Sequence, residues 1–341
     1  MADTEKNSLD ALRLVAAGLV LYSHQHVLLG LNDPSFFGWS SFGGAGVSIF
    51  FFLSGTLVWS SWQRDPALGR VFKRRSLRIF PALWVLVALT VFCLGPVFTR
   101  LPIDEYLSSL GTWRYLTTAL LLVRYELFGV FADNMYPLVV NGSLWTLPVE
   151  FLCYTLVAGF GWWFRAHPSR AVTLGLGLAL MGSVLGASHF GPRFVMHFEM
   201  AAFFWWGVVY QHLSDQSLHA DRLPWGALLG VVVGLLVFWL GSARGVERTA
   251  LLLFAAGCVV WAQHWQGAAS LTQRVGDLSY GLYIFAFPVQ QSLAQAGQGL
   301  NWSFGLSFGL SLFATAALAW ISWHLIEKRA LRFKPHGRLS A

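Results

Sequence analysis

Long apolar stretches alternate with short polar breaks over nearly the whole chain. Crossing a hydrocarbon core of roughly 30 Å takes about 20 mostly apolar residues as a helix. Bounded by charges and Gly/Pro turns, such stretches predict helices near 9–30, 43–62, 79–99, 143–164 and 170–190. Five more follow near 194–212, 223–241, 248–266, 276–296 and 302–326. The fold expected is all-α, a polytopic integral membrane protein of about ten transmembrane helices. No internal repeat or low-complexity linker divides it, so 1–341 reads as a single transmembrane domain. The longest connection, 100–142, carries an apolar patch, TTALLLV, too short to span. It reads as a re-entrant or interfacial piece. Its Trp113, Tyr115, Tyr125, Asp133, Asn134 and Asn141 suit either an interfacial anchor or a lid over an outward-facing site.

Composition agrees with lipid as the solvent: 56% of residues are hydrophobic, 11% are charged and the mean hydropathy is +0.56. Lys6 is followed by an apolar stretch without a small-residue cleavage site, so the first helix is expected to stay as an anchor. The net charge of +7 does not point to nucleic acid, because topology explains where the charges sit. With the N-terminus inside, Lys6, Arg13, the six cations of 63–78, Arg165, Arg170, Arg222, Arg274 and the five after Glu327 face inward. Arg100, Arg114, Arg124, Arg193, Arg244 and Arg248 face outward, a split of 17 to 6. The positive-inside rule then places both termini in the cytoplasm. Cys93, Cys153 and Cys258 lie in apolar stretches without metal-ligand spacing, so they read as packing residues and no metal is expected.

Ionisable side chains inside a span cost about 2.5–3.5 kcal/mol each on insertion scales, which makes them candidates for function. Arg13, His24, Glu150 and Glu199 are of this kind. Arg13 and His24 are eleven residues apart on one helix, hence on nearly the same face and separated by roughly 16 Å along the axis. Counted from the outer helix ends, His24, Glu150 and Glu199 lie at comparable depth, so a carboxylate can meet the imidazole. A histidine held near neutrality by burial and a carboxylate suits a general base. The other readings are a hydrogen-bonded core histidine, an Arg13 that snorkels to the cytoplasmic surface and a Glu199 that only bridges helices. His26, His197 and His264 read as structural. Arg70, Lys73, Arg74, Arg75 and Arg78 stand before the third helix, where they serve topology and anionic lipid, or a phosphate. Arg75 and Arg78, three apart, project to one side of a helical start and can clamp a phosphate there.

The blocks LDALRLVAAGLVLYSH, GGAGVSIFFFLSG, RRSLRIFPALW, NGSLWTLPVE, LSYGLYIFAFP and WHLIEKRAL occur in this order from the first helix to the last. In this the chain resembles membrane acyltransferase family 3. That family's arginine, ten residues, histidine motif falls on Arg13 and His24, and its Arg-x-x-Arg motif on Arg75 and Arg78. Its acidic position after the SLW block falls on Glu150. Tyr280 and Tyr283 match another block as pocket or hydrogen-bonding residues, with core packing the alternative. The resemblance implies a bacterial inner-membrane O-acyltransferase that takes acyl-CoA, acetyl-CoA foremost, from the cytoplasm. Arg75 and Arg78 would hold the nucleotide, and the acceptor would be a hydroxyl of a cell-envelope or exported glycan. It implies direct transfer with His24 as base, Glu150 orienting it and Arg13 lining the channel, or an acyl-histidine relay. Many members carry a histidine where this chain has Ala286, and often an aromatic residue where it has Thr56. No catalytic role carries to Ala286, and Thr56 is expected to affect packing. The alternative function is a transporter or flippase for a lipid-linked or small sugar, which predicts paired broken helices or a repeat between halves. Oligomeric state is not readable from the chain.

Overall fold

Several helices of this chain begin where a hydroxyl satisfies one of the first free backbone N–H groups. A computed structural model describes residues 8–189, 191–217, 244–265 and 275–335, with scattered positions at 232, 234–236, 239, 240 and 267. Helix α1 (Leu9–Leu28) leads into a short antiparallel hairpin, β1 (Ser35–Phe36) and β2 (Ser40–Ser41), with Ser35 opposite Ser41 and Phe36 opposite Ser40. Ser41 then caps α2 (Phe42–Arg64), its hydroxyl accepting from the Gly44 N–H at 3.1 Å.

Helix α3 (Leu68–Leu89) runs on through a π-helical turn, Thr90–Leu94, and a last turn, Gly95–Phe98. It starts earlier than the expected boundary at 79, so the basic run is helical and not a loop before the helix. Cations at a helix N-terminus oppose its dipole. Asp65, in the turn before α3, offsets this by accepting from Arg70 Nε at 2.9 Å and Arg74 Nη1 at 2.6 Å. These bonds hold the Asp65 carboxyl well below the usual carboxylate range. They also occupy two of the cations of the run.

The 100–142 segment forms two short helices, α4 (Ile103–Ser108) and α5 (Leu110–Tyr115), and a 3-10 turn, Leu116–Leu120. The turn lies against α3, with Trp84 Nε1 donating to the Ala119 carbonyl at 3.1 Å. Asn134 and Asn141 pin the rest of the segment: Asn134 Nδ2 donates to Gln291 Oε1 at 2.7 Å, and Asn141 Nδ2 to the Ile284 carbonyl at 2.9 Å.

There follow α6 (Thr146–Trp163), α7 (Pro168–His189), α8 (Pro192–Ser217), α9 (Gly245–His264), α10 (Ser279–Ala296) and α11 (Phe304–Ser322). The chain is therefore mainly helical, as expected. Five helical stretches are long and apolar enough to cross a membrane by length and composition: Phe42–Arg64, Leu68–Phe98, Gly142–Trp163, Gly245–His264 and Phe304–Phe333. Helices α1, α7, α8 and α10 pack among them. The expected helix at 223–241 falls largely outside the described residues.

Helix α2 is central, packed against α1, α8 and α9. Its crossing with α8 is backbone to backbone: a Cβ on Gly55 would meet the Phe204 carbonyl, and one on Gly207 the Phe52 carbonyl. Small residues at both sides of a crossing permit such an approach in membrane helices. Thr56 donates its hydroxyl to the Phe52 carbonyl at 3.0 Å at the same place, so it serves packing. Gly207→Val is expected to force α2 and α8 apart and cut the yield of monodisperse protein in detergent severalfold. Wild-type yield and melting temperature in the variant would show that the crossing tolerates a side chain.

A buried amide ladder fixes α1 against α10 and α11. Gln290 Nε2 donates to the Leu21 carbonyl and to Gln25 Oε1, both at 2.8 Å, and Gln25 Nε2 donates to Ser307 Oγ at 2.9 Å. Removing a partner leaves an unsatisfied amide in an apolar interior, so this ladder specifies the rotation of α1.

Candidate active site

Two cavities open beside α1, one near each of its ends. The first, of about 630 Å³, holds Arg13 from α1, Ser54 and Arg64 from α2, Arg74, Arg75 and Arg78 from α3, and Glu150 and Tyr154 from α6. Asp277, Tyr280 and Tyr283 close it from the start of α10, and Lys334 stands at its edge. The second, of about 550 Å³, holds Ser23, His24, Asp33, Trp39, Glu199, Arg244 and Arg248. Val47 and Tyr283 line both. The two residues thus form a septum between a basic cavity and a histidine cavity.

In the basic cavity, Arg78 Nη2 lies 2.6 Å and Arg13 Nη1 3.4 Å from Asp277 Oδ2. Arg13 also reaches Asp10 Oδ1 at 3.0 Å, and Ser279 Oγ donates to Asp277 Oδ1 at 2.5 Å. Burial disfavours a charged Asp277, yet the Arg78 and Arg13 guanidiniums outweigh it and hold the carboxyl below the usual carboxylate range. Asp277 therefore joins α1, α3 and the turn before α10 as a permanent anion. Asp277→Asn leaves two guanidiniums facing each other across a half-lost hydrogen bond. It is expected to cost on the order of 3 kcal/mol, read as a lowered melting temperature in detergent. An unchanged melting temperature would show that solvent already screens the pair.

Arg75 lies over the Tyr154 ring, 5.3 Å from its centroid, and reaches the Leu57 carbonyl at 3.5 Å. Arg78 lies 5.9 Å from the Tyr280 ring centroid, and the Tyr280 hydroxyl donates to the Ile79 carbonyl at 2.8 Å. Tyr280 thus supports the α3 arginines from α10. Tyr283 donates to the Ser143 carbonyl at 2.9 Å and shares a 2.7 Å hydrogen bond with Thr146 Oγ1, which fixes its ring in the septum.

Glu150 is not beside His24. Its Oε1 accepts from Ser54 Oγ at 2.5 Å and from the Tyr154 hydroxyl, in the basic cavity. Equal depth on two helices fixes height and leaves rotation about the helix axis open, and α6 turns this carboxylate to the other side of the septum. The charged groups sharing the histidine cavity are instead Asp33, Glu199, Arg244 and Arg248. Glu199 is in an ion pair with Arg248. Asp33, in the turn after α1, accepts from Ser23 Oγ at 2.6 Å, one residue from His24. The Phe287 ring packs edge-on to the imidazole at 5.1 Å between centroids, and Nδ1 has no hydrogen-bond partner among the described residues.

Sequence reasoning missed Asp33, in the turn after α1, and Asp277, which the structure places in the turn before α10 although the predicted helix at 276–296 included it. It also missed the β1–β2 hairpin, whose Ser35, Gly38 and Ser40 line the histidine cavity with Trp39 between the strands. None of residues 100–142 lines that cavity, so the lid reading of the segment does not hold for it, and the segment is anchored on α3 and α10.

The family model described as "Acyltransferase domain", acyltransferase-3, matches residues 6–324. The chain belongs to the acyltransferase-3 family. It is thereby an acyl-transferring enzyme. An O-acetyl transferase of Shigella phage Sf6 is 30% identical to this acyltransferase over 342 residues, covering 96% of each chain. Nodulation protein 10 of Rhizobium leguminosarum bv. viciae is 30% identical over 367 residues, covering 96% of this chain and 94% of the relative. The exopolysaccharide production protein ExoZ of Rhizobium meliloti (strain 1021) is 28% identical over 299 residues, covering 83% and 86%. No solved structure matches this acyltransferase.

Proposed function

We propose that the protein is an O-acetyltransferase of the bacterial inner membrane that moves acetyl from cytoplasmic acetyl-CoA to a hydroxyl of a cell-envelope or exported glycan. The observation that carries this reading is the pair of cavities meeting at Val47 and Tyr283, one basic and one holding His24. The names of two relatives, an O-acetyl transferase and an exopolysaccharide production protein, support the acyl group and the acceptor class. The topology that goes with it has ten spans, both termini in the cytoplasm, the basic cavity facing inward and the histidine cavity outward, in keeping with the charge split of the loops.

In this reading Arg75 and Arg78 hold the phosphates of CoA by charge-assisted hydrogen bonds, and the pantetheine arm passes Arg13 and Glu150 towards the septum. The axial distance of roughly 16 Å from Arg13 to His24 is within the reach of an extended arm. The acceptor lies in the histidine cavity, with Glu199 and Trp39 in its wall. His24 takes the hydroxyl proton as the oxygen bonds to the thioester carbonyl carbon. The C–S bond then breaks, and the proton returns from the imidazolium to the CoA sulfur. Glu150, in the basic cavity, serves the donor arm as a hydrogen-bond acceptor instead of orienting His24.

Mass spectrometry of envelope glycans from the native host, with and without the gene, tests the reading. The expected result is a mass difference of one acetyl group that disappears on mild base treatment. Identical glycans in both strains, with the protein present, would overturn it.

A further inference from the structure

The cations of the basic cavity fall into two tiers, and only part of the set is neutralised by carboxylates. Arg13 and Arg78 are tied to Asp277, and Arg74 to Asp65. Among the described residues, Arg64, Arg75 and Lys334 line the cavity with no carboxylate at ion-pair distance. Arg75 is deep, against Tyr154. Arg64 and Lys334 are exposed at the mouth. Arg64 Nη1 is held by Ser60 Oγ at 2.6 Å, at the end of α2. Lys334 follows the 3-10 turn Leu331–Phe333, and its N–H bonds to the Leu331 carbonyl at 3.2 Å, so the backbone carrying it is fixed.

No carboxylate among the described residues lies at ion-pair distance from this outer pair, and Asp277, the one that acts on Lys334, is already shared by Arg13 and Arg78. Partial burial of the ammonium and the positive charges of Arg78, Arg75 and Arg13 push Lys334 down to about 8. A lysine lining the same cavity as three arginines that repel its charge marks a place where an anion is wanted. CoA carries two separate anionic groups, a diphosphate and a ribose 3′-phosphomonoester, and its nucleotide end must stay at the mouth when the thiol end reaches the septum.

We propose that Lys334, with Arg64, binds the 3′-phosphate of the donor nucleotide, while Arg75 and Arg78 hold the diphosphate below it. The site thereby distinguishes CoA from donors lacking the phosphomonoester. This rests on the acyl-CoA reading of the basic cavity. The other source of a phosphate at this mouth is an anionic lipid headgroup, which would make Lys334 indifferent to the nucleotide.

Calorimetric titration of detergent-purified protein with CoA and with 3′-dephospho-CoA separates these cases. Wild type is expected to bind CoA about tenfold more tightly than 3′-dephospho-CoA. Lys334→Met should lose most of that preference by weakening CoA alone, and Lys334→Arg should keep it. A Lys334→Met protein that still prefers CoA by the wild-type factor overturns the proposal, as does a wild type that binds both nucleotides equally. Failure of wild type to bind either nucleotide would instead remove the acyl-CoA reading on which the proposal stands.

Discussion

His24→Ala is expected to lower acetyl transfer by about a thousandfold, in the middle of the range that a positioned acid–base group supplies. At 1.36 kcal/mol per decade this is about 4 kcal/mol of barrier. Affinity for CoA should be unchanged, because the imidazole lies in the other cavity, which none of the α3 arginines lines. The imidazole Nδ1 has no hydrogen-bond partner among the described residues to be orphaned by the change, so the variant should express and melt like wild type. Transfer at a third of the wild-type rate, at equal protein level, would remove His24 as the base. Covalent capture of acetyl on His24 in a glycan-free reaction would replace direct transfer by the acyl-histidine route.

The second large effect is at the septum. Val47 is buried, at 8% exposure, and is one of two described residues that line both cavities. Val47→Trp places an indole on the proposed path of the donor arm and is expected to slow transfer about a hundredfold, some 2.7 kcal/mol of barrier. CoA binding in the basic cavity should stay within about twofold, since Arg75 and Arg78, the proposed phosphate ligands, do not line the histidine cavity that Val47 also faces. Overpacking costs about 1–3 kcal/mol of stability, so the comparison is made at equal amounts of monodisperse protein. Val47→Ala should keep acetyl transfer and accept a longer acyl chain. Transfer through Val47→Trp at more than a tenth of the wild-type rate would mean that the arm takes another path.

Much of this arrangement was legible in the chain because membrane helices announce themselves by length and because a charge in a span is costly enough to require a reason. Arg13 and His24 fall at the two ends of one face, and Arg75 and Arg78 share a helical side, as spacing requires. Rotation between helices was not legible. Depth put Glu150 level with His24, but packing of α6 against α2 and α3 gave it to Ser54 and Tyr154. Nor does spacing show that Asp277, 264 residues from Arg13, is the anion that clamps it. Turn residues carry no periodicity, so Asp33, Asp277 and Lys334 became visible only when the chain was folded around them. The early start of α3 was hidden for a related reason: its basic first turns look like a loop until Asp65 neutralises part of their charge.

The septum also bears on electrical insulation. In the proposed orientation each cavity is open to water from its own side, and Val47 and Tyr283, which line both, stand in the insulating layer between them. The membrane voltage then drops mainly over the layer that holds those two side chains. Carrying one elementary charge across it involves about 2.3 kcal/mol per 100 mV. In the proposed reaction a neutral acetyl thioester passes without that work, while the phosphates of the donor remain on the arginines of their own side. On the proposed function, the same two residues that let an acyl group through are thus a barrier to ions, and an enzyme open to water from both faces need not discharge the membrane it sits in.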